Sequence, residues 1–149
     1  MMKATEDIRV KVAVYRPKIE AIINSVADYL GIEPRDVGNR KRYRDIMKGR
    51  RLVCYYSRKY VPNCSLAVIG YFLNPHDPFD HADISHNASK YEKELNLKRR
   101  DGSYVYPELQ LENIKLTMLI ESQLNYADRD AWLLDFSRRS GNFMIRDTV

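Results

Sequence analysis

Cysteine is scarce in this chain. Cys54 and Cys64 are the only two, they lie in unlike surroundings, and they form no CxxC pair. A disulfide scaffold and a zinc ribbon are therefore disfavoured, and a reducing cytoplasm is expected. Long apolar runs are missing as well: none approaches the ~20 residues that a membrane span needs. The opening Met1-Met2-Lys3-Ala4-Thr5-Glu6-Asp7 lacks the apolar core of a secretory signal. A cytoplasmic location and no membrane partner are the expectation. No Gly-x-x-x-x-Gly-Lys-[Ser/Thr] loop occurs, so nothing supports nucleotide hydrolysis, and no cofactor is expected. Internal repeats and low-complexity segments are also missing, which disfavours a solenoid.

What is present suffices for one domain with a real core, or a small domain with an extension, in 149 residues. Hydrophobic content of 44% and charged content of 30% are those of an ordinary globular protein. The formal net charge of +5 permits a polyanionic partner. Its distribution says more. Between Arg40 and Lys59 stand nine basic residues and one acid, Asp45, a local balance near +8. Between Glu108 and Asp135 stand six acids against Lys115 and Arg129, a balance of −4. The first region would neutralise phosphates and the second would be repelled by them.

Hydrophobic spacing predicts helices. Pro17 suits a first helical position, followed by Ile19, Ile22, Ile23, Val26, Ala27 and Leu30, with Gly31 as the stop. Before it, Ile8, Val10, Val12 and Val14 alternate with other residues, which fits a short strand or an ill-defined helix. Ile32–Gly38 reads as a turn with one short helical turn. A basic helix follows over 43–59, with Ile46, Leu52, Val53, Tyr55 and Tyr56 on its apolar face. Arg44, Lys48, Arg51 and Arg58 lie on its polar face. Ser65 is a good N-cap for a short helix over 66–71. Asn74-Pro75-His76-Asp77-Pro78 is a loop. Asp80 then caps a helix reaching about Leu95, whose first turns carry short polar groups and whose later turns carry His86 and Lys90. A recognition helix presents itself to a major groove in this way. Beyond the basic triplet Lys98-Arg99-Arg100 and the turn Asp101-Gly102-Ser103, the run Leu109, Leu111, Ile114, Leu116, Leu119, Ile120 and Leu124 predicts a long helix. A further one is expected over 131–136, including Trp132. This order is all-α, and a short helix, a turn and an open second helix make a helix-turn-helix.

Several motifs occur in a meaningful order: Arg40-Lys41-Arg42-Tyr43-Arg44, then Arg50-Arg51-Leu52-Val53-Cys54-Tyr55-Tyr56-Ser57-Arg58, then Ser65-Leu66-Ala67-Val68-Ile69-Gly70, then Asp80-His81-Ala82-Asp83-Ile84-Ser85-His86. Across about Val26–Leu95 this resembles the C-terminal DNA-binding domain of the bacterial replication initiator DnaA, with Lys90 and Glu92 also in register. The resemblance implies an all-α helix-turn-helix bundle of the DnaA C-terminal or Trp repressor-like type with a helical C-terminal extension. The division it implies is an N-terminal arm at 1–16, a DNA-binding domain at 17–97 and the extension at 98–149. It also implies sequence-specific binding of double-stranded DNA in control of replication initiation or transcription, or in a mobile element, without catalysis. Residue by residue, Arg42 matches the arginine that enters the minor groove. Lys48, Arg50 and Arg51 match positions on or beside the phosphate-contacting start of the basic helix, and Arg58 and Ser65, which lie in the motifs quoted above, are also expected to contact DNA. Asp80, His81, Ala82 and Asp83 match the turn that reads bases, with His86 behind it, and Lys90 matches a phosphate contact. The chain also departs from the pattern. Phe79 stands where the family has Arg before Asp-His, the loop from Gly70 to Asp80 is longer by about three residues, and Ala82-Asp83 replaces a hydroxyl pair. Ala82 would still meet a thymine methyl and Asp83 a cytosine amino group, although nearby phosphate would repel Asp83.

Two readings compete with this one. The first is a protein-interaction module that kept the fold and lost DNA reading, motivated by Phe79, Ala82 and Asp83. The second is a metal-dependent enzyme using His76, Asp77, Asp80 and His81. Against the second, His81 and His86 are five residues apart, where a shared helical face needs about four. The plainer expectation is that His81 faces DNA or solvent, that His86 packs or caps, and that no metal is held. Cys54 and Cys64 read as buried thiols. Tyr55, Tyr56 and Tyr60 read as core and rim, with a base-stacking platform as the alternative. The stripe over 109–124 reads as core, or as part of a dimer or protein-partner contact through 107–137.

Overall fold

The computed structural model describes residues 2–139, with side chains from Val12 to Asn125. Its elements are α1 (Met2–Leu30), a 3₁₀ turn (Pro34–Gly38), α2 (Arg44–Tyr60), α3 (Leu66–Leu73), α4 (His81–Asn96) and α5 (Pro107–Arg139). The one β feature among the described residues is an isolated antiparallel bridge between Lys98 and Tyr104. Among the described residues every named element is helical, as the periodicity predicts.

Each helix buries one stripe. Ile19, Ile22 and Val26 of α1 meet Leu52, Val53 and Tyr56 of α2, Val68 and Ile69 of α3, Ile84 of α4, and Leu116 and Ile120 of α5, all of them fully or almost fully buried. At about 1.5–3 kcal/mol for each large apolar side chain, this shared core is the main source of stability. Gly31 ends α1 with a positive φ of 71°. Its N–H donates to Asp28 O and that of Ile32 donates to Ala27 O, the bond pair of a Schellman ending. Gly70 has a different role. A Cβ there would collide with the Phe79 carbonyl oxygen, so glycine lets α3 lie directly under the segment that leads into α4.

The helix boundaries differ from expectation at both ends of the chain. No strand forms over 8–14, and Pro17 lies inside α1 rather than at its start. Proline removes the bond to the Ala13 carbonyl, at a helix-interior cost of about 3 kcal/mol. Ala13 and Pro17 both face solvent, so water can serve the freed carbonyl, while Val12 is buried. α1 packs along α5 and is held helical by that contact. The segment over 131–136 is not a separate helix either, because α5 continues unbroken to Arg139. No glycine or proline lies between Pro107 and Arg139 to stop it. The side chains of Ile8, Val10 and Trp132 lie outside the described residues. The stripe on α5 is only partly core: Leu109, Leu116 and Ile120 are buried, but Leu111 and Ile114 are 63% and 57% exposed. On α2, Ile46 and Tyr55 are half-buried, while Cys54 is fully buried.

One carboxylate joins four helices. Glu112 of α5 is 5% exposed. It accepts from Tyr91 Oη of α4 at 3.1 Å and from Tyr29 Oη of α1 at 3.2 Å. It also pairs with Lys48 Nζ of α2 at 2.6 Å. Next to it, Tyr56 Oη donates to Asn113 Oδ1 at 2.6 Å, and Tyr60 Oη donates to Glu121 Oε1 at 3.3 Å. A buried charge is tolerated only when paired and hydrogen-bonded, and here it is both.

Two outcomes follow from this network. Glu112→Ala should lower the unfolding free energy in urea melts by at least ~1–3 kcal/mol, the cost of leaving the buried Tyr91 hydroxyl without an acceptor. An unchanged midpoint would mean that the network adds no stability. Burial, with the negative charge of ionised Tyr56 and of Glu112, raises Tyr91 well above the ordinary tyrosine pKa of about 10, and burial raises Tyr56 likewise. The folded state therefore holds these protons more tightly than the unfolded chain. Their contribution is whole below pH ~10 and is lost as pH rises beyond it. Melting temperature should fall above that pH, and less steeply in Tyr91→Phe; parallel alkaline limbs would refute the assignment.

Candidate nucleic-acid interface

The short polar side chains of the turn region fix its course. Ser65 Oγ accepts from Val68 N at 3.3 Å and starts α3. Asn74 Oδ1 accepts from His76 N at 3.2 Å and Asp77 N at 3.1 Å, while its Nδ2 donates to Gly38 O at 3.2 Å. The loop is thereby tied to itself and to the 3₁₀ turn. Asp80 Oδ1 accepts from Asp83 N at 2.8 Å and starts α4, with Asp83 in the first turn where the helix dipole favours an acid.

Phe79 explains how the loop carries a residue so unlike the expected arginine. Phe79 is 4% exposed. The Arg40 guanidinium lies 4.1 Å from the ring centroid and that of Arg50 lies 5.1 Å from it. Arg40 also pairs with Asp77 Oδ2 at 2.7 Å and donates to the carbonyls of Asp77 at 2.8 Å and Pro78 at 3.1 Å. Arg50 donates to Lys41 O at 3.3 Å. Two cations on one aromatic ring thus fasten the basic arm over 40–43 to α2 and to the turn. Burial lowers the Arg50 pKa from its ordinary value.

Arm, α2 and α4 enclose a groove of about 490 Å³. It gathers Arg42, Arg50, Arg51, Asp83, His86 and Lys90, six residues of the expected site, together with Met47, Asn87, Arg40 and Phe79. Arg42 is exposed, Arg51 and Lys90 are half-buried, and Asp80, His81 and Ala82 stand exposed at the free end of α4. His86 is exposed along the groove and neither packs nor caps, because Ile84 and Ala88 take the inward positions on either side of it.

Three expected residues stand apart from the groove. The charge of Lys48 is engaged by Glu112, and its side chain is 37% exposed. Arg58 lies farther along α2 and donates to Ser89 Oγ at 3.5 Å. Ser65 spends its hydroxyl acceptor on its own helix. Sequence reasoning missed Arg40 and Asn87 as parts of the site. Asn87 donates to Asp83 O at 2.8 Å, and its i+4 spacing from Asp83 was the available signal.

The rival arrangements are not assembled. Asp77 is paired with Arg40 and Asp80 is a cap, and among the described residues no three His, Cys, Asp or Glu side chains converge as metal ligands would. Tyr56 and Tyr60 face α5, and Tyr55 packs between Tyr56 and Tyr91 with centroids 4.9 and 5.0 Å away, so no base-stacking platform forms. Both cysteines are buried and free; burial pushes the Cys54 thiol up to about 12 and the Cys64 thiol up to about 11. Among the described residues, no helix is long and apolar enough to cross a membrane.

With this geometry in place, likeness to known proteins is informative. Residues 19–90 match the family model described as the bacterial DnaA protein helix-turn-helix. The chain is 39% identical over 85 residues to the chromosomal replication initiator protein DnaA of Aliarcobacter butzleri, covering 54% of this chain and 18% of the relative. To its counterpart in Campylobacter jejuni it is 30% identical over 105 residues, covering 70% and 22%. To that of Thermodesulfovibrio yellowstonii it is 34% identical over 85 residues, covering 57% and 18%. The matches thus span 18% to 22% of these curated relatives' length. No solved structure gives a significant match.

The Phe79 stack is open to a direct test. Phe79→Leu keeps an apolar filler but removes the ring, and should cost about 0.5–2 kcal/mol in chemical denaturation. The same substitution should cost less in an Arg40→Met background, since the two groups are coupled. Additive losses would show that Arg40 draws nothing from the ring.

Proposed function

We propose, from the match of residues 19–90 to the bacterial DnaA helix-turn-helix, that this chain binds double-stranded DNA in the control of replication, through α4, the basic arm and the start of α2. The observation that carries the proposal is the groove in which Arg42, Arg51, His86 and Lys90 converge beside the open first turn of α4. Asp80 to Asp83 enter the major groove, where His81, Ala82 and Asp83 face base edges. Arg42 reaches the minor groove. Arg44, Arg51 and Lys90 neutralise flanking phosphates and set the register, which by itself carries no sequence information. The base preference differs from that of the family, because Asp83 accepts hydrogen bonds where a hydroxyl would also donate.

The DNA-binding unit is 17–97. The extension is 98–149; within it α5 packs against α1 and α4, and its exposed Leu111, Ile114 and Met118 offer a protein partner or a second copy an apolar strip. The chain acts by binding rather than by catalysis, and it acts in the cytoplasm. A protein-interaction module that has lost DNA reading is the second interpretation. It is favoured by the engagement of Lys48 with Glu112 and by the acid Asp83 inside the groove.

Polarisation titrations against random-sequence and DnaA-box duplexes over a salt series separate the two. Salt-dependent binding is expected, and its absence on both duplexes would sink the DNA reading. Arg42→Ala and Lys90→Ala should each reduce the slope of log K against log salt by ~1. Lys48→Ala should leave the slope unchanged and lower stability instead. His81→Ala should lose about 1–3 kcal/mol of discrimination between sites; equal loss on specific and random DNA would give His81 a structural role.

A further inference from the structure

The segment between α4 and α5 lies beyond residues 19–90, and the helix-turn-helix does not account for it. It is a small closed hairpin. Val105 N donates to Leu97 O at 2.9 Å, Arg99 N to Ser103 O at 2.8 Å, and Gly102 N to Arg99 O at 3.0 Å. Gly102 takes the tip with a φ of 88°. Asp101 Oδ1 accepts from Ser103 N at 2.9 Å and Ser103 Oγ at 2.6 Å. Lys98 Nζ lies 5.1 Å from the centre of the Tyr104 ring, its bridge partner. Lys98, Arg99 and Arg100 are all exposed, and none of them forms an ion pair among the described residues.

A simpler role for these cations would be to cap the C-terminal end of α4. That end is served by other groups: Leu97 N donates to Glu94 O at 3.4 Å, and Gln110 Nε2 donates to Leu95 O at 2.6 Å. The three side chains donate no hydrogen bond to it. The hairpin is therefore an ordered element that holds exposed positive charge with no carboxylate partner among the described residues.

Its position gives that charge a use. The residues on either side of its base, Glu94 and Leu109, line a cleft of about 270 Å³ together with Arg44, Lys48 and Arg51 of α2. The chain that enters and leaves the hairpin thus runs past the basic start of α2. The 16 residues of α4 place it about 24 Å along the helix from His81, far enough to reach backbone outside the groove that the reading turn occupies. We propose that Lys98, Arg99 and Arg100 form a second DNA contact that grips phosphates flanking the site read by α4. The proposal rests on the DNA-binding reading above and extends it to residues that the family match does not include. Ordering of the hairpin before binding means that little conformational entropy is lost on contact.

The test uses the full chain. Lys98→Ser, Arg99→Ser and Arg100→Ser are combined, and a second variant, Lys98→Arg, Arg99→Lys and Arg100→Lys, keeps the charges. Binding to a fluorescent random-sequence duplex is measured over a salt series, and hydroxyl-radical footprints are taken on a site selected with the wild-type protein. The serine variant should lose about two to three from the salt slope, at ~0.9 per phosphate released. Its footprint should shorten on one flank with the base preference unchanged, and the charge-keeping variant should match wild type. A wild-type slope and footprint in the serine variant, alongside a reduced slope in Arg42→Ala, would overturn the hairpin contact and leave the helix-turn-helix reading standing. Absence of salt-dependent binding by the wild-type chain would overturn both. Matching thermal melts of wild type and serine variant exclude misfolding as the cause of a loss.

Discussion

The buried carboxylate of Glu112 is the constraint around which the helices are arranged. It belongs to α5, yet all three of its partners lie on other helices: Tyr29 on α1, Lys48 on α2 and Tyr91 on α4. An ion of this kind cannot be left half-satisfied in a low-dielectric interior, so the four helices have little freedom to slide against one another. α5 is accordingly part of the body that carries the groove. This also answers the charge asymmetry of the sequence. The acidic segment turns Glu112 and Glu121 towards α2, and some of the positive charge of the basic segment is spent on holding the bundle together.

The groove is built by the same kind of compromise. Arg40 and Arg50 would add to a phosphate-attracting surface if they were free, but both lie against the Phe79 ring, and Arg40 is also paired with Asp77. Their work is to hold the arm in place, which leaves Arg42, Arg51 and Lys90 as the cations that remain open along the groove. A ring where the pattern has arginine thus exchanges one mobile charge for the fixed position of several others.

Much of this was legible from residue patterns. The caps Ser65 and Asp80, the helices over 44–60, 66–73 and 81–96 and the loop between the last two all carry local signals, because capping and amphipathic spacing depend on near neighbours in the chain. The motifs from Arg40 to Lys90 likewise placed the groove. The errors share one origin. Pro17 reads as a helix start because local rules see a lost hydrogen bond but not a buried Val12 or the α5 surface beneath it. The resemblance matches Lys48 to a phosphate contact, and its pairing with Glu112, 64 positions away, shows only in the fold. His86, expected to pack or cap, faces outward instead, because Ile84 and Ala88, two positions to either side of it, take the inward places on the helix.

The sequence by itself determined the all-α class, the order and most limits of the central helices, and the helix-turn-helix. Those properties are set by interactions within a few residues of one another. Only the tertiary structure decided which cations are free and which are spent, that the Phe79 ring is a buried platform for two arginines, and that residues 2–16 and 107–139 join the helical body. These outcomes depend on which side chains meet across the bundle and on the cost of burying charge there, and no local pattern carries that information.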